Sequence, residues 1–151
     1  RERVPGIALR TTLIAGYPGE TEADHQEMLD WVGKSRFDRL GVFTYSHEEN
    51  THAFSLADDV PAQEKSRRAS AVMDLQRGIS EEINESKVGQ VLKVLIDRKE
   101  GPHYVGRTEY DSPEVDNEVL VEAGKHHLRI GNFAQLRITS ANEYDLMAAP
   151  A

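Results

Sequence analysis

The feature that most constrains the fold is a strand, a turn, a helix and a second strand laid end to end within residues 4–45. Residues 4–16 carry apolar side chains at Ile7, Leu9, Leu13 and Ile14, stiffened by Thr11 and Thr12, the pattern of a strand buried on both faces. Gly16-Tyr17-Pro18-Gly19 turns the chain. Thr21-Glu22-Ala23-Asp24 forms a capping box, with Asp24 in place of the usual Glu or Gln. Behind it Met28, Leu29 and Val32 make one apolar stripe, Trp31 is expected to pack under the helix, and Gly33 is the expected stop. Leu40-Gly41-Val42-Phe43-Thr44-Tyr45 is the second strand. Two strands joined through a helix over this span pair in parallel, which predicts a βαβ unit.

The period then changes twice. Residues 46–60 are polar and turn-rich, and Pro61 suits the first turn of a helix. Val72, Leu75, Ile79 and Ile83 recur at helical spacing to about residue 86. From Gly89 onward the chain alternates as short strands at 91–97, Tyr104–Thr108, Val119–Val121 and Ala134–Thr139. Strands this short and this closely spaced predict a small antiparallel all-β barrel with an apolar set of Val91, Leu95, Val105, Val119, Leu136 and Ile138. The expected organisation is an α/β piece over 1–60, a connecting helix over 61–86 and the barrel over 87–151.

Composition narrows the function classes. The chain has 151 residues, 38% hydrophobic and 29% charged, with a net charge of −8, which suits a globular protein and argues against a general nucleic-acid binder. No apolar run is long enough for a membrane helix, so the expectation is no membrane partner and a cytoplasmic location. Cysteine is absent. The opening Arg1-Glu2-Arg3, without Met, suits a piece of a longer chain.

The chemistry-bearing residues each have a plain reading beside the functional one. Glu48 and Glu49 could form an acid–base pair, but adjacent loop carboxylates are usually solvated. His47, His52 and the pair His126-His127 lack a third clustered ligand, which favours surface histidines over a metal site. Arg107, Arg129 and Arg137 could make a patch, although single arginines on barrel strands more often pair or lie along the surface.

Three segments carry a resemblance. Residues 11–21, Thr-Thr-Leu-Ile-Ala-Gly-Tyr-Pro-Gly-Glu-Thr, resemble the fifth barrel strand and turn of the radical S-adenosylmethionine methylthiotransferases, where G-[FY]-P-G-E-T is usual. Residues 37–46 with Glu48-Glu49-Asn50-Thr51 are similar to the sixth strand and its exit loop. Residues 88–147, with Tyr104–Thr108, Ser112–Asp116 and Tyr144-Asp145-Leu146, resemble the TRAM domain that ends these enzymes. Within the family the details resemble the ribosomal-protein branch (the RimO type), which methylthiolates an aspartate of a small-subunit ribosomal protein. Residues 87–149 hold eight Lys/Arg against ten Asp/Glu, a balance of −2, better matched to a basic protein than to tRNA. The tRNA branch (the MiaB type) and a stand-alone RNA-binding TRAM module are the alternatives.

The resemblance implies the C-terminal part of a radical-SAM partial TIM barrel, a linker helix and an OB-like TRAM barrel. It also implies S-adenosylmethionine and two 4Fe–4S clusters in the full-length enzyme. The cluster cysteines would lie before Arg1, so none of these groups is expected on this piece, which should be inactive alone. No catalytic residue or metal ligand is expected here. Leu13, Ile14 and Gly16, with Phe43, Tyr45 and Ser46, would flank the cofactor, Gly16 allowing close approach; Arg10 and Thr12 are further candidates for polar contacts. Glu109, Asp111, Glu114, Asp116 and Glu118 form an acidic run suited to a basic ribosomal protein. Cut from its barrel, the α/β piece could self-associate.

Overall fold

Backbone pairing sets the first unit. In the computed structural model, which describes residues 2–113 and 115–151, strand β1 (Arg10–Ala15) lies parallel to β2 (Arg39–Thr44) with Leu13 beside Val42 and Ile14 beside Phe43. Helix α1 (Glu22–Ser35) makes the crossover. Its start follows the capping box: Thr21 Oγ1 accepts from the Asp24 amide at 3.2 Å, and Asp24 Oδ2 accepts from the Thr21 amide at 2.8 Å. The helix passes Gly33 and ends two residues later at Ser35, capped by Arg36 in the left-handed conformation (φ 49°), whose amide donates to Val32 O. Gly33 is no stop because it keeps helical geometry; the turn falls where the chain must reach Asp38, whose amide donates to Leu9 O.

The first strand is shorter and more open than its composition suggests. It starts at Arg10, not Val4, and Arg10, Thr12 and Ile14 are exposed while Ala15 is buried. A two-stranded sheet has a covering helix on one face only, so the other face lies bare. Trp31 also departs from expectation: 47% of it is exposed, and it meets Phe37 from the side, ring centroids 4.9 Å apart.

Helix α2 (Ala62–Glu85) follows a short 3-10 turn at His52–Ser55. Its buried positions include Lys65, Arg68, Val72, Gln76 and Ile79, spaced for one helical face. The chain divides into two compact units, Arg1–Ile79 and Ser80–Ala151.

The second unit is a closed barrel of five strands, β3 (Val91–Glu100), β4 (His103–Thr108), β5 (Val119–Glu122), β6 (Phe133–Ala141) and β7 (Leu146–Pro150), in the order β3-β4-β5-β7-β6. Four of its pairings are antiparallel and one, β5 with β7, is parallel. Val94, Ile96, Tyr104, Val119, Val121, Leu136, Ile138 and Leu146 fill the interior. On β3 the inward set is therefore Val94 and Ile96, one residue out of phase with the expected Val91 and Leu95; Val91 is 41% exposed. A run apolar at successive positions leaves the phase to the bulge between Ile96 and Arg98, which the sequence alone does not fix.

Candidate functional site

The site is built on the C-terminal ends of β1 and β2, the edge where parallel α/β sheets place their chemistry. β1 leaves the sheet through Gly16 at φ +76°, which favours glycine. Tyr17-Pro18-Gly19-Glu20 then forms a turn closed by the Glu20 amide on Tyr17 O at 2.9 Å, with Gly19 at φ +82°. Pro at the second position and a positive-φ Gly at the third are what a type II turn requires.

Glu20 folds back under its own turn. One carboxylate oxygen accepts from the Gly16 amide at 2.8 Å and the Tyr17 amide at 3.3 Å. The other accepts from Arg68 Nη1 at 2.9 Å, and the same nitrogen donates to Glu20 O at 2.8 Å. Both side chains of the pair are only 7% exposed. Burial alone would pull the Arg68 pKa down, but the bonds to Glu20 and Glu64 outweigh it and raise it. The Gly19 amide donates to Asp59 Oδ1 at 2.7 Å.

The end of β2 is held from the same helix. The Lys65 ammonium reaches the Asp58 carboxylate at 2.6 and 2.8 Å, sits 4.9 Å from the Tyr45 ring centroid and reaches Tyr45 O at 3.5 Å. Tyr45 is buried, its hydroxyl 3.1 Å from His47 Nδ1 and its ring edge-on to Tyr17 at 5.4 Å. Burial first, and then the Asp58 carboxylate, push its phenol pKa up. His47 stacks on Phe54 at 4.6 Å.

The expected cofactor-facing residues fall into two groups. Thr12, Ile14 and Phe43 lie exposed, with Ile14 and Phe43 side by side across the strand pair at 52% and 66% exposure. Gly41 lies beside Thr12 in register, and a Cβ there would meet nothing within 4 Å. Arg10 is exposed at the far end of β1 and Leu13 is half-buried. Gly16 and Tyr45, by contrast, are buried under α2. The close approach at Gly16 is made by Lys65: a Cβ on the glycine would lie 2.3 Å from Lys65 Cγ. Ser46 is exposed and donates to Glu48 at 2.5 Å. Among the described residues, no group of three or more His, Asp or Glu is placed to hold a metal ion.

The acidic run of the barrel is not the free surface its sequence suggests. Glu109 is exposed. Asp111 is 8% exposed and accepts from Thr108 Oγ1 at 2.5 Å, Asp116 accepts from the Ser112 amide at 2.6 Å, and Glu118 pairs with Arg98 at 2.8 Å. Short turns recruit carboxylates to their own amides and hydroxyls, which buries Asp111 and ties the half-buried Asp116 to its turn. Glu114 lies outside the described residues. Arg107 pairs with Asp97 at 3.0 Å and Arg137 donates to Gly89 O at 2.9 Å.

Comparison with known proteins gives both units counterparts. Residues 88–150 match the TRAM domain family. The whole chain is 56% identical over 151 residues to the ribosomal protein uS12 methylthiotransferase RimO of Flavobacterium johnsoniae. It is 57% identical over 146 residues to that of Cytophaga hutchinsonii and 51% over 149 to that of Bacteroides thetaiotaomicron. The matches take in 100%, 97% and 98% of this chain but 35%, 33% and 34% of the relatives. The chain thus spans about a third of the length of the relatives it matches, their C-terminal part.

Proposed function

Because this chain corresponds over its whole length to the C-terminal part of the RimO-type methylthiotransferases, we propose that it forms one wall of the cofactor pocket and the substrate-recognition barrel of such an enzyme. The substrate is a small-subunit ribosomal protein, uS12 by the names of the relatives. The intact enzyme works in the cytoplasm; no helix among the described residues is long and apolar enough to cross a membrane.

The observation that carries the reading is the bare pair Ile14–Phe43, at the C-terminal edge of two parallel strands. Adjacent exposed apolar side chains, with the unfilled space at Gly41 on the same strand pair, suit the flat face of an adenine. S-adenosylmethionine held there would supply radical chemistry, on receiving an electron from an iron–sulfur cluster that the rest of the enzyme would carry. The residues of this chain that would line it are Leu13, Ile14, Phe43 and Ser46, with Thr12 as a polar contact; Gly16 and Tyr45, buried under α2, would support that edge from behind, and Arg10 lies at the far end of β1. The iron–sulfur clusters do not fit this piece: it has no cysteine to supply thiolate. They belong to the rest of the enzyme, and this piece alone has no activity.

Residues 1–60 act as the barrel part, 61–86 as the connecting helix and 87–151 as the recognition domain. In the recognition domain the exposed Glu109 is the acidic residue best placed to meet a basic partner. The test is cofactor affinity in the full-length enzyme. Phe43→Ala should weaken S-adenosylmethionine binding, measured by calorimetry, and unchanged affinity would overturn the assignment of this face.

A further inference from the structure

Every candidate cofactor contact at the strand ends sits on a loop or a strand tip, yet the side chains that hold these tips come from α2. Lys65 and Arg68 lie on one face of the helix, buried at 7% and 6% exposure. A helix surface with a high charge density is normally solvated, and burying a cation costs free energy unless it is paired and hydrogen-bonded. Both are paired here, and their partners are the two strand exits. Arg68 grips Glu20, whose other oxygen holds the Gly16 and Tyr17 amides. Lys65 lies over Gly16 at van der Waals contact and reaches both Asp58 and the carbonyl of Tyr45. On the far side Arg68 Nε donates to Glu64 at 2.7 Å, which fixes the guanidinium plane.

We propose that Lys65 and Arg68 are positioning residues of the cofactor wall, a two-cation clamp on one helix that holds the exits of β1 and β2 in a single geometry. This inference rests on the reading of the strand ends as a cofactor wall. The clamp touches the backbone through the Glu20 carboxylate and the Tyr45 carbonyl, and it leaves Ile14 and Phe43 uncovered. Its work is therefore to keep the turn at Gly16–Gly19 from relaxing, since a binding wall must be held to a fraction of an ångström by the groups behind it.

The experiment measures S-adenosylmethionine affinity by calorimetry in the full-length enzyme with its clusters in place. Alongside it, hydrogen exchange is followed at the amides of Gly16, Tyr17 and Gly19. Arg68→Gln should raise the dissociation constant about tenfold or more, and Arg68→Lys by less, since it keeps the charge but loses the two-pronged fork. Lys65→Met should do the same from the other strand exit. Val72→Ala, on the same buried face but away from the clamp, and Arg67→Gln, on the exposed side, should leave affinity unchanged. If Arg68→Gln does not fold, Arg68→Lys carries the test. Unchanged affinity in the clamp variants, with amide protection lost at Gly16, would overturn the inference and leave the wall assignment standing. Equal weakening by Val72→Ala at a matched loss of melting temperature would reduce the clamp to ordinary stability and overturn it too. A wild-type enzyme that binds no S-adenosylmethionine would instead remove the cofactor-wall reading, and the inference with it.

Discussion

Gly16 and Lys65 are packed so closely that the glycine has no room for a side chain. A Cβ there would lie 2.3 Å from Lys65 Cγ and 3.2 Å from its Cα. The backbone at Gly16 also has φ +76°. Gly16→Ala should therefore destabilise the first unit by about 1–3 kcal/mol, from strain plus the displaced lysine. Adding Lys65→Ala should relieve the clash but not the strained φ. Urea denaturation followed by circular dichroism separates the two contributions, and a neutral Gly16→Ala would contradict the packing.

The barrel has a tighter restriction. At Gly106 an added Cβ would sit 2.5 Å from Leu95 O and 2.7 Å from Val94 Cγ1, so a backbone carbonyl stands in the way. Gly106→Ala should cost about 3 kcal/mol or more, because neither strand can retreat without opening the ladder. Gly124→Ala, where nothing lies within 4 Å, is the control for side-chain addition. Thermal melting of the two variants should differ clearly.

Acid should loosen the first unit through Glu64. Hydrogen bonds from Arg67 and then Arg68 hold its carboxyl at about 2, against an ordinary 4.5. A depressed folded pKa gives stability that is present above the unfolded value and is lost as pH falls through the folded one. Asp24, lowered from 3.8 chiefly by the hydroxyl of Thr21, works in the same direction. The melting temperature should therefore fall as pH drops from 4.5 toward 2. Glu64→Gln should be less stable than wild type at neutral pH and show a shallower fall in acid.

The acidic run of the barrel should divide under mutation. Glu109→Ser should slow association of the full-length enzyme with its basic substrate and flatten the salt dependence, with no change in melting temperature. Asp111→Ser removes the acceptor of the buried Thr108 hydroxyl, so it should lower the melting temperature by destabilising the barrel. Stopped-flow association and calorimetric melting distinguish the two outcomes. Equal effects on association from both would restore the whole run as a contact surface.

Local rules that agree with one another were legible. The turn expected at Gly16–Gly19, which closes one residue on over Tyr17–Glu20, the capping box at Thr21–Asp24 and the parallel pair β1–β2 follow from residues whose backbone demands are specific. What was not legible depended on partners distant in sequence. Lys65 and Arg68 look like solvated charges until Asp58 and Glu20 are brought to them. His25 is 1% exposed with neither ring nitrogen hydrogen-bonded, and no local signal distinguishes it from a surface histidine on α1. At the strand ends, Ile14 and Phe43 meet only through the register of β1 and β2, which no local signal states, while Gly16 and Tyr45 face the helix that supports them.

The parallel pairing of β7 with β5 makes the barrel a structure that matures late. Residues 146–150 supply the strand that lies between β5 and β6, and Leu146, fully buried, comes with it. During synthesis β5 is complete at Glu122, well before β7 begins at Leu146, so it waits with an open edge that can pair wrongly, whereas β6 ends only at Ala141. The closure is also non-local, since Val119 must find Leu146 across the intervening β6, and such contacts form slowly. A chain made only as far as residue 145 would have its βαβ segment but an open barrel, so any recognition by the barrel waits on β7.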